Sequence, residues 1–363
     1  MGSKQHVQST DEQGTAHRDS AVEKQGNTPL DTSANTDAID VSIVLAIYNV
    51  EKFLDQCLRS LEEQTLKTIE IICVNDGSTD SSQAIIERHQ QHDSRIKLIS
   101  KQNSGYGDSM NQGIAAAHGR YIGIVEPDDW VSRHMFETLL RAAEKHHFPD
   151  IVKGAYTRVI NADTPDETQV PAIYYQHIDL VDTPFTLSEN AQLLLHHPSI
   201  WSALYKRSFL HDNGIAFQPI PGAGWADNPF LMETFVQAKS IVYIDEMLYF
   251  YREFNTGSSS VVKDPRIIFE RWLDMDAILK KHHVTAKNIL EAHYARGCAY
   301  IQMLADDFPG NELAKSGIRR MMKHIDYNTV LESNAIIQPF KDAYQAQVSP
   351  LARAWYKVKR RLA

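Results

Sequence analysis

Ile69-Glu-Ile-Ile-Cys-Val74 is a short apolar run that ends abruptly in the polar turn Asn75-Asp76-Gly77-Ser78. An apolar run of this length, closed by turn residues, predicts a buried strand. Val41–Ile47 has the same character and ends in Tyr48-Asn49. The residues between the two runs place apolar side chains at helical spacing: Phe53, Leu54, Cys57, Leu58 and Leu61. This part of the chain therefore predicts a strand–helix–strand unit.

The same alternation continues further along the chain. The pattern predicts helices at Ser81–His92 and Gly105–His118, and strands at Ile96–Ile99 and Tyr121–Val125. Strands that alternate with helices indicate βαβ units, so we expect an α/β fold with a mostly parallel central sheet.

The pattern loosens after Val131. It predicts a helix at Arg133–His147, strands at Ile151–Tyr156 and Ile241–Phe250, and two helices within residues 265–305. Proline residues in Asn161–Pro184 predict a loop-rich connection, because proline interrupts both helices and strands.

Composition limits the class of protein. The chain has 363 residues, of which 43% are hydrophobic, and a formal net charge of −9. At roughly 100–200 residues per domain, this length suits two or three domains. The negative charge argues against a nucleic-acid partner, since phosphate recognition needs a basic surface. The three cysteines lack C-x-x-C spacing, which argues against a disulfide scaffold or zinc ribbon and favours a reducing cytoplasm.

The sequence shows no pattern of membrane insertion. Its apolar runs fall well short of the ~20 residues that span a bilayer, and no signal-peptide pattern opens the chain. Residues 1–40 are polar and are predicted to be disordered. The tail Leu351–Ala363 combines basic and apolar residues without an acid. It fits an amphipathic helix on an anionic membrane surface or a charged helix packed on its own domain, and the sequence leaves both open.

Three polar clusters follow predicted strands. They are Tyr48-Asn49 with Glu51, Asn75–Asp80, and Glu126-Pro127-Asp128-Asp129-Trp130. One such cluster would be ordinary turn chemistry. Because the carboxyl ends of parallel strands meet at one edge of a sheet, three clusters there predict a binding site.

The third cluster is strongly acidic. Glu126, Asp128 and Asp129 repel each other unless a cation or solvent compensates their charge. Mg²⁺ and Mn²⁺ take oxygen ligands and commonly use one or two carboxylates together with substrate phosphates. The cluster thus predicts a metal–diphosphate clamp, and an exposed acidic loop is the alternative.

Several common catalytic motifs are absent from the sequence. Gly105-Tyr-Gly107 lacks the third glycine of a dinucleotide site, and there is no G-x-x-x-x-G-K-[ST] loop. The chain also lacks a G-x-S-x-G elbow and an H-E-x-x-H helix.

Five ordered motifs carry a family resemblance. They are Val41–Asn49, Val74–Asp80, Asn103-Ser-Gly105 with Asn111 and Gly113, Gly119-Arg-Tyr-Ile122, and Glu126-Pro-Asp128-Asp129. In this order, Val41–Val131 resembles the nucleotide-sugar-binding half of family 2 glycosyltransferases of the GT-A fold, a Rossmann-like α/β fold. The resemblance extends more loosely to about residue 255.

The resemblance implies roles for residues that bind the sugar donor. Asp76 would accept a hydrogen bond from the nucleobase, typically uracil. Tyr48, Asn49 and Glu51 would line the nucleotide pocket, with Asn111 in the same donor site.

The resemblance also implies a metal site. Glu126-Pro-Asp128 matches the family's D-x-D motif, with Glu in the first place. Asp128 would then be the main ligand of Mn²⁺ or Mg²⁺, with Glu126 as a second ligand. Asp129 would support the donor diphosphate.

The family's catalytic base usually lies in a Glu-Asp pair that heads a helix in the second half. Gly224–Phe230 stands in that place, where Asp227 keeps the Asp and Ala226 replaces the Glu. Asp227 also lies just before Pro229, where it could cap a helix. The two roles are compatible.

The expected enzyme is an inverting, metal-dependent glycosyltransferase. It would move a sugar from a nucleotide-diphosphate sugar, a UDP-sugar by resemblance, to a hydroxyl of a glycan, lipid-linked or protein acceptor. The expected location is cytoplasmic, or peripheral at the inner face of the membrane. Its domains would be a GT-A domain at 41–260, with donor half 41–131 and acceptor half 132–260, and a C-terminal helical region at 261–363.

Two alternatives stay open at the level of sequence. A sugar nucleotidyltransferase would need a Gly-rich, Arg-Lys loop after the first strand, which Tyr48–Lys52 does not supply. A non-catalytic nucleotide-sugar-binding or partner subunit is kept open by Ala226.

Arg252, at the end of a late strand, could meet a diphosphate or could pack within the protein.

Overall fold

The computed structural model describes residues 38–220, 222, 224–253, 262–348 and 351. The predictions of a disordered N-terminal segment and of a basic terminal helix fall almost entirely outside the described residues. The division into a GT-A domain and a C-terminal helical region stays a prediction.

The described residues form nine strands and eleven α-helices. The strands are β1 (Val41–Ile47), β2 (Ile69–Asn75), β3 (Ile96–Ser100), β4 (Tyr121–Ile124), β5 (Trp130–Val131), β6 (Ile151–Ile160), β7 (Thr168–Pro171), β8 (Ala203–Lys206) and β9 (Ile241–Glu253). The helices are α1 (Glu51–Glu62), α2 (Ser82–His92), α3 (Tyr106–Ala115), α4 (Met135–Lys145), α5 (Arg207–Asp212), α6 (Asp227–Gln237), α7 (Pro265–Lys281), α8 (Lys287–Asp307), α9 (Glu312–Met322), α10 (Tyr327–Glu332) and α11 (Gln338–Val348).

One sheet runs through the described residues. Its strand order is β3-β2-β1-β4-β8-β6-β9-β5, and β7 pairs with β6. The four strands β3, β2, β1 and β4 are parallel, as are β6 and β9. β8 is antiparallel to both of its neighbours. The predicted α/β fold with a mostly parallel sheet is confirmed.

The predicted elements of the first half are present, with ends that shift by a few residues. β1 and β2 are almost completely buried, which explains why they appear in the sequence as continuous apolar runs. The sequence analysis missed β7 and β8. Both have only four residues, and β7 is exposed, so neither shows a periodic pattern.

The apolar core has two parts. The larger part covers the sheet, where α1 contributes Leu54, Leu58 and Leu61. The second part lies among the C-terminal helices around Trp272 and Ile301. No helix among the described residues is both long enough and apolar enough to cross a membrane.

Candidate active site

The acidic turn, residues 126–129, connects β4 to β5 and is held by hydrogen bonds to residues of β9. Asp129 is 2% exposed. Its carboxylate accepts hydrogen bonds from the Tyr249 hydroxyl at 2.8 Å and from the Arg252 backbone N–H at 2.7 Å. The Tyr249 hydroxyl also accepts a hydrogen bond from the backbone N–H of Glu126 at 3.1 Å. Asp129 therefore faces the protein interior, and its predicted contact with the donor stays a prediction.

The Arg252 side chain is a second support of the acidic turn. Its Nε donates to the carbonyl oxygen of Asp128 at 2.8 Å, and its terminal nitrogens reach Gln56 and Asp163. The guanidinium also lies over the rings of Phe53 and Trp130. The structure therefore supports the interpretation in which Arg252 packs within the protein.

A further support lies behind Tyr249. The Trp201 ring stacks on the Tyr249 ring with 4.0 Å between centroids. The turn that carries Trp201 is fastened by the buried Lys153 of β6, whose Nζ donates to the Ser199 carbonyl oxygen at 2.7 Å and the Ser202 hydroxyl at 2.8 Å. Burial lowers the pKa of Lys153 to about 7.

A further feature of the site is a group of three carboxyl groups, two on the acidic turn and one at the start of α6. Glu126 accepts a hydrogen bond from the Tyr106 hydroxyl at 2.6 Å. Its pKa is raised to about 8, first by loss of solvent around it and then by the negative charges of Asp128 and Asp227. The structure thus brings the carboxyl groups of Glu126, Asp128 and Asp227 close enough to influence one another.

This donor set suits a hard divalent cation. Carboxylate oxygens are the ligands that Mg²⁺ and Mn²⁺ prefer, and a cation would relieve the repulsion that raises the pKa of Glu126. Within the part of the chain that the structure describes, no group of three or more His, Cys, Asp or Glu residues is arranged to hold a metal. Further ligands would then come from a diphosphate and from water, which is common for Mg²⁺.

Asp227 is the first residue of α6. Ala226 occupies the cap position and makes no side-chain cap, so the prediction that Asp227 caps the helix was wrong by one position. The Asp227 carboxylate instead accepts hydrogen bonds from the backbone N–H of Asn228 at 3.0 Å and from its side-chain amide at 3.1 Å. Burial raises the pKa of Asp227, and the Asn228 bonds and the Arg296 charge oppose that rise.

The segment before α6 is fixed against α3. The Tyr106 backbone N–H donates to the Gly222 carbonyl oxygen at 3.1 Å. Gly105 has a φ of +97°, and a Cβ there would lie 2.7 Å from the Ile220 carbonyl oxygen, so the close approach requires glycine. Asn111 bonds the Phe217 backbone through both of its amide atoms. These contacts place the start of α6 opposite the acidic turn.

The loops after β1 and β2 fasten each other. The Asn49 side chain accepts a hydrogen bond from the backbone N–H of Thr79 at 2.8 Å, and Glu51 accepts one from that of Ser81, also at 2.8 Å. Tyr48 is 48% exposed at the same edge of the sheet. The structure therefore brings together the first two polar clusters predicted from the sequence.

Asp76 organises the start of α3. It accepts hydrogen bonds from the backbone N–H groups of Ser104 and Gly105, each at 2.9 Å, and pairs with Lys101. Asp76 is 3% exposed. The predicted contact between Asp76 and a nucleobase stays a prediction.

Several residues around the site were not identified from the sequence. Tyr106, Tyr249, Asn228 and Arg296 contact predicted site residues or their neighbours. Tyr249 lies 120 residues from its partner Asp129 in the sequence, and such a contact leaves no local pattern.

An acidic turn after the fourth strand of an α/β sheet, together with a carboxylate at the start of α6, matches the arrangement that the family resemblance implies for a glycosyltransferase of the GT-A fold. The family model "Glycosyl transferase family 2" matches residues 42–214. The uncharacterized glycosyltransferase EpsJ of Bacillus subtilis is 34% identical over 266 residues, which is 70% of each protein. The chain belongs to glycosyltransferase family 2, so the predicted family and enzyme class are confirmed.

Two further comparisons extend this result. The poly(ribitol-phosphate) beta-glucosyltransferase of Bacillus spizizenii is 31% identical over 221 residues, covering 58% of this chain and 32% of that protein. The crystal structure of S. aureus TarS 1–349 in complex with UDP-GlcNAc matches with a TM-score of 0.69 at 18% identity and covers 87% of each chain. The structural likeness confirms the GT-A fold.

Proposed function

We propose that this glycosyltransferase moves a sugar, with inversion, from a UDP-sugar to a hydroxyl group of a growing surface glycan. The observation that carries the proposal is the placement of Asp227 opposite the acidic turn. The Tyr106 hydroxyl donates to Glu126 at 2.6 Å and the charge of Asp227 acts on both residues, which supports one site formed by the proposed base and the acidic turn.

The donor would bind across the loops that follow β1 and β2. The UDP and UDP-GlcNAc complexes of TarS support UDP as the nucleotide. Tyr48, Asn49 and Glu51 would line the nucleotide pocket, as the family resemblance implies. A carboxylate offers about four acceptor positions. Asp76 uses three of them on Lys101, Ser104 and Gly105, which leaves one for a nucleobase N–H.

Asp128 and Glu126 would hold the Mn²⁺ or Mg²⁺ ion. When bound, the ion supplies positive charge that offsets the charge developing on the leaving diphosphate. Asp129 would act on the donor only indirectly, because Tyr249 and Arg252 hold its carboxylate inside the protein.

Asp227 would be the general base. Its carboxylate takes the proton of the acceptor hydroxyl while the hydroxyl oxygen forms a bond to the anomeric carbon. The bond from that carbon to the diphosphate oxygen breaks on the opposite face, which inverts the configuration. Burial raises the pKa of Asp227 and so makes it a stronger base than an exposed aspartate.

The acceptor class rests on similarity alone. The Bacillus spizizenii relative is a poly(ribitol-phosphate) beta-glucosyltransferase. A polyol or sugar hydroxyl within a cell-surface polymer would suit the same chemistry.

Asp227→Asn tests the base. We expect kcat to fall by about 10²–10⁴-fold, because amide nitrogen and oxygen cannot take the proton. Donor affinity, measured by calorimetry over UDP-, GDP-, dTDP- and CMP-sugars with and without Mn²⁺, should be unchanged. Asp212→Asn is the control, since Asp212 is an exposed aspartate at the end of α5. Turnover by Asp227→Asn at the unaltered rate, or binding of no UDP-sugar, would contradict the proposal.

A further inference from the structure

Helix α8 of the C-terminal helices reaches the proposed base. Arg296 and Tyr300 lie one turn apart on α8 and therefore share a face. The Tyr300 hydroxyl donates to Asn228 Oδ1 at 2.9 Å, and an Arg296 terminal nitrogen donates to the same oxygen at 3.2 Å. Asn228 is 3% exposed and directly follows Asp227.

These bonds fix the orientation of the Asn228 amide. A guanidinium can only donate, so the oxygen of the amide must face Arg296. The amide nitrogen is then turned to the other side, where it donates to Asp227 Oδ1 at 3.1 Å. Arg296 thus determines which end of the amide the Asp227 carboxylate meets.

Arg296 is itself held at a fixed point. Its other terminal nitrogen donates to the carbonyl oxygen of Leu194 at 2.8 Å and to that of His196. The Arg296 guanidinium therefore joins three segments: α8, the segment around Leu194 and His196, and the start of α6. A side chain bound to three separate segments has little freedom to move, and so has the amide that it orients.

We infer that Arg296 and Tyr300 are positioning residues for the glycosyl transfer, which hold the Asp227 carboxylate in place through the amide of Asn228. The inference rests on the proposed role of Asp227 and deepens it. It makes α8 part of the working site, whereas the sequence analysis assigned α8 to a separate helical region.

The charged and titratable groups around Asp227 determine its pH response. They are Arg296 and Tyr300 on α8, Glu126 on the acidic turn, Tyr106 on α3, Tyr205 on β8 and Tyr251 on β9. Arg296 brings positive charge to this set and lowers the pKa of Asp227, against the burial that raises it. Removal of Arg296 should therefore move the acidic limb of the rate profile to higher pH.

The test compares Arg296→Met and Tyr300→Phe with two control variants from other C-terminal helices, α9 and α11. Arg320→Met removes an arginine that lies over the Phe269 ring, and Tyr344→Phe removes a hydroxyl that bonds the Ile325 carbonyl oxygen. We expect kcat of Arg296→Met to fall about ten- to a hundredfold near neutral pH and to recover at higher pH. Tyr300→Phe should lose about three- to tenfold. Donor KM should stay unchanged in both, and the controls should keep the wild-type profile.

The outcomes separate this inference from the proposed function. If Asp227→Asn is inactive but Arg296→Met keeps the wild-type rate and profile, the inference fails and the base assignment stands. If the acidic limb of Arg296→Met stays at the wild-type pH, or if donor KM rises as kcat falls, the role is merely structural and the inference is overturned. If Arg296→Met does not fold, Arg296→Lys replaces it. Lysine keeps the charge but loses the forked donors, so the inference requires a kcat loss with a smaller shift of the profile.

Discussion

The two halves of the sheet contribute to the site in different ways. In the first half, the loops after β1 and β2 fasten each other through Asn49 and Glu51, so each polar cluster is held by its neighbour. The acidic turn after β4 also belongs to the first half, but its support comes from Tyr249 and Arg252 of β9. The difference shows that the carboxylates of the acidic turn and the residues that hold them are separated in the sequence.

Of the variants that compare the two halves, the largest effect should come from Asp128, which is half-buried in the acidic turn. We expect Asp128→Ala to lower kcat/KM by about 10²–10³-fold, because it removes the main proposed ligand of the ion that would offset charge on the leaving diphosphate. Initial rates with a UDP-sugar, with and without Mn²⁺, measure the loss. Asp166→Ala, in the exposed loop before β7, should leave the rate unchanged. An Asp128→Ala enzyme with nearly wild-type activity would show that the Asp128 carboxylate is not needed for the transfer.

A smaller effect should come from the supporting side. Tyr249→Phe removes the hydroxyl that bonds both Asp129 and Glu126, so we expect kcat/KM to fall about tenfold and the free energy of unfolding by about 1 kcal/mol. Tyr243→Phe is a matched control on the same strand, because its hydroxyl bonds Asp245 away from the turn. If both variants lose stability and neither loses activity, the turn does not depend on β9.

The smallest effect should come from Lys153, which supports the turn only through Trp201 and Tyr249. Its pKa of about 7 lies below its value in an unfolded chain, so the unfolded chain binds more protons between pH 7 and about 10. The free energy of unfolding should therefore rise with pH in that window, by roughly 1 kcal/mol between pH 7 and 8 relative to Lys153→Met. Urea unfolding at both pH values measures the difference.

The control for this experiment is Lys239→Met, which removes an exposed lysine. It should keep the same pH dependence as the wild type. A Lys153→Met protein with an unchanged slope would show that the buried lysine is not the titrating group, and the support behind Tyr249 would then be a matter of packing alone.

The sequence predicts most of the first half because its signals are local. Buried parallel strands are continuous apolar runs, and each polar cluster follows its strand directly, as at Asn75-Asp76. The second half gives weaker signals. β8 is four residues long, and Arg296 is a single arginine in an otherwise ordinary helix. Its partner Asn228 lies 68 residues away, and no spacing rule connects the two.

The position of Asp227 shows the same limit within a single motif. Family resemblance and the nearby Pro229 correctly predicted a helix start, but the predicted cap at Asp227 was wrong by one position. The structure puts Ala226 at the cap and Asp227 inside the first turn. Local preferences fix such boundaries only to within one or two residues.

The strand order has a consequence for protein engineering. β8, β6 and β9 of the predicted acceptor half lie between β4 and β5, which both belong to the predicted donor half. A chimera that replaced the acceptor half by that of a relative would have to match two strand registers, one at β4 and one at β5. New acceptor preferences are therefore better sought by exchanging the loops at the rim of the cleft, which leaves both joins intact.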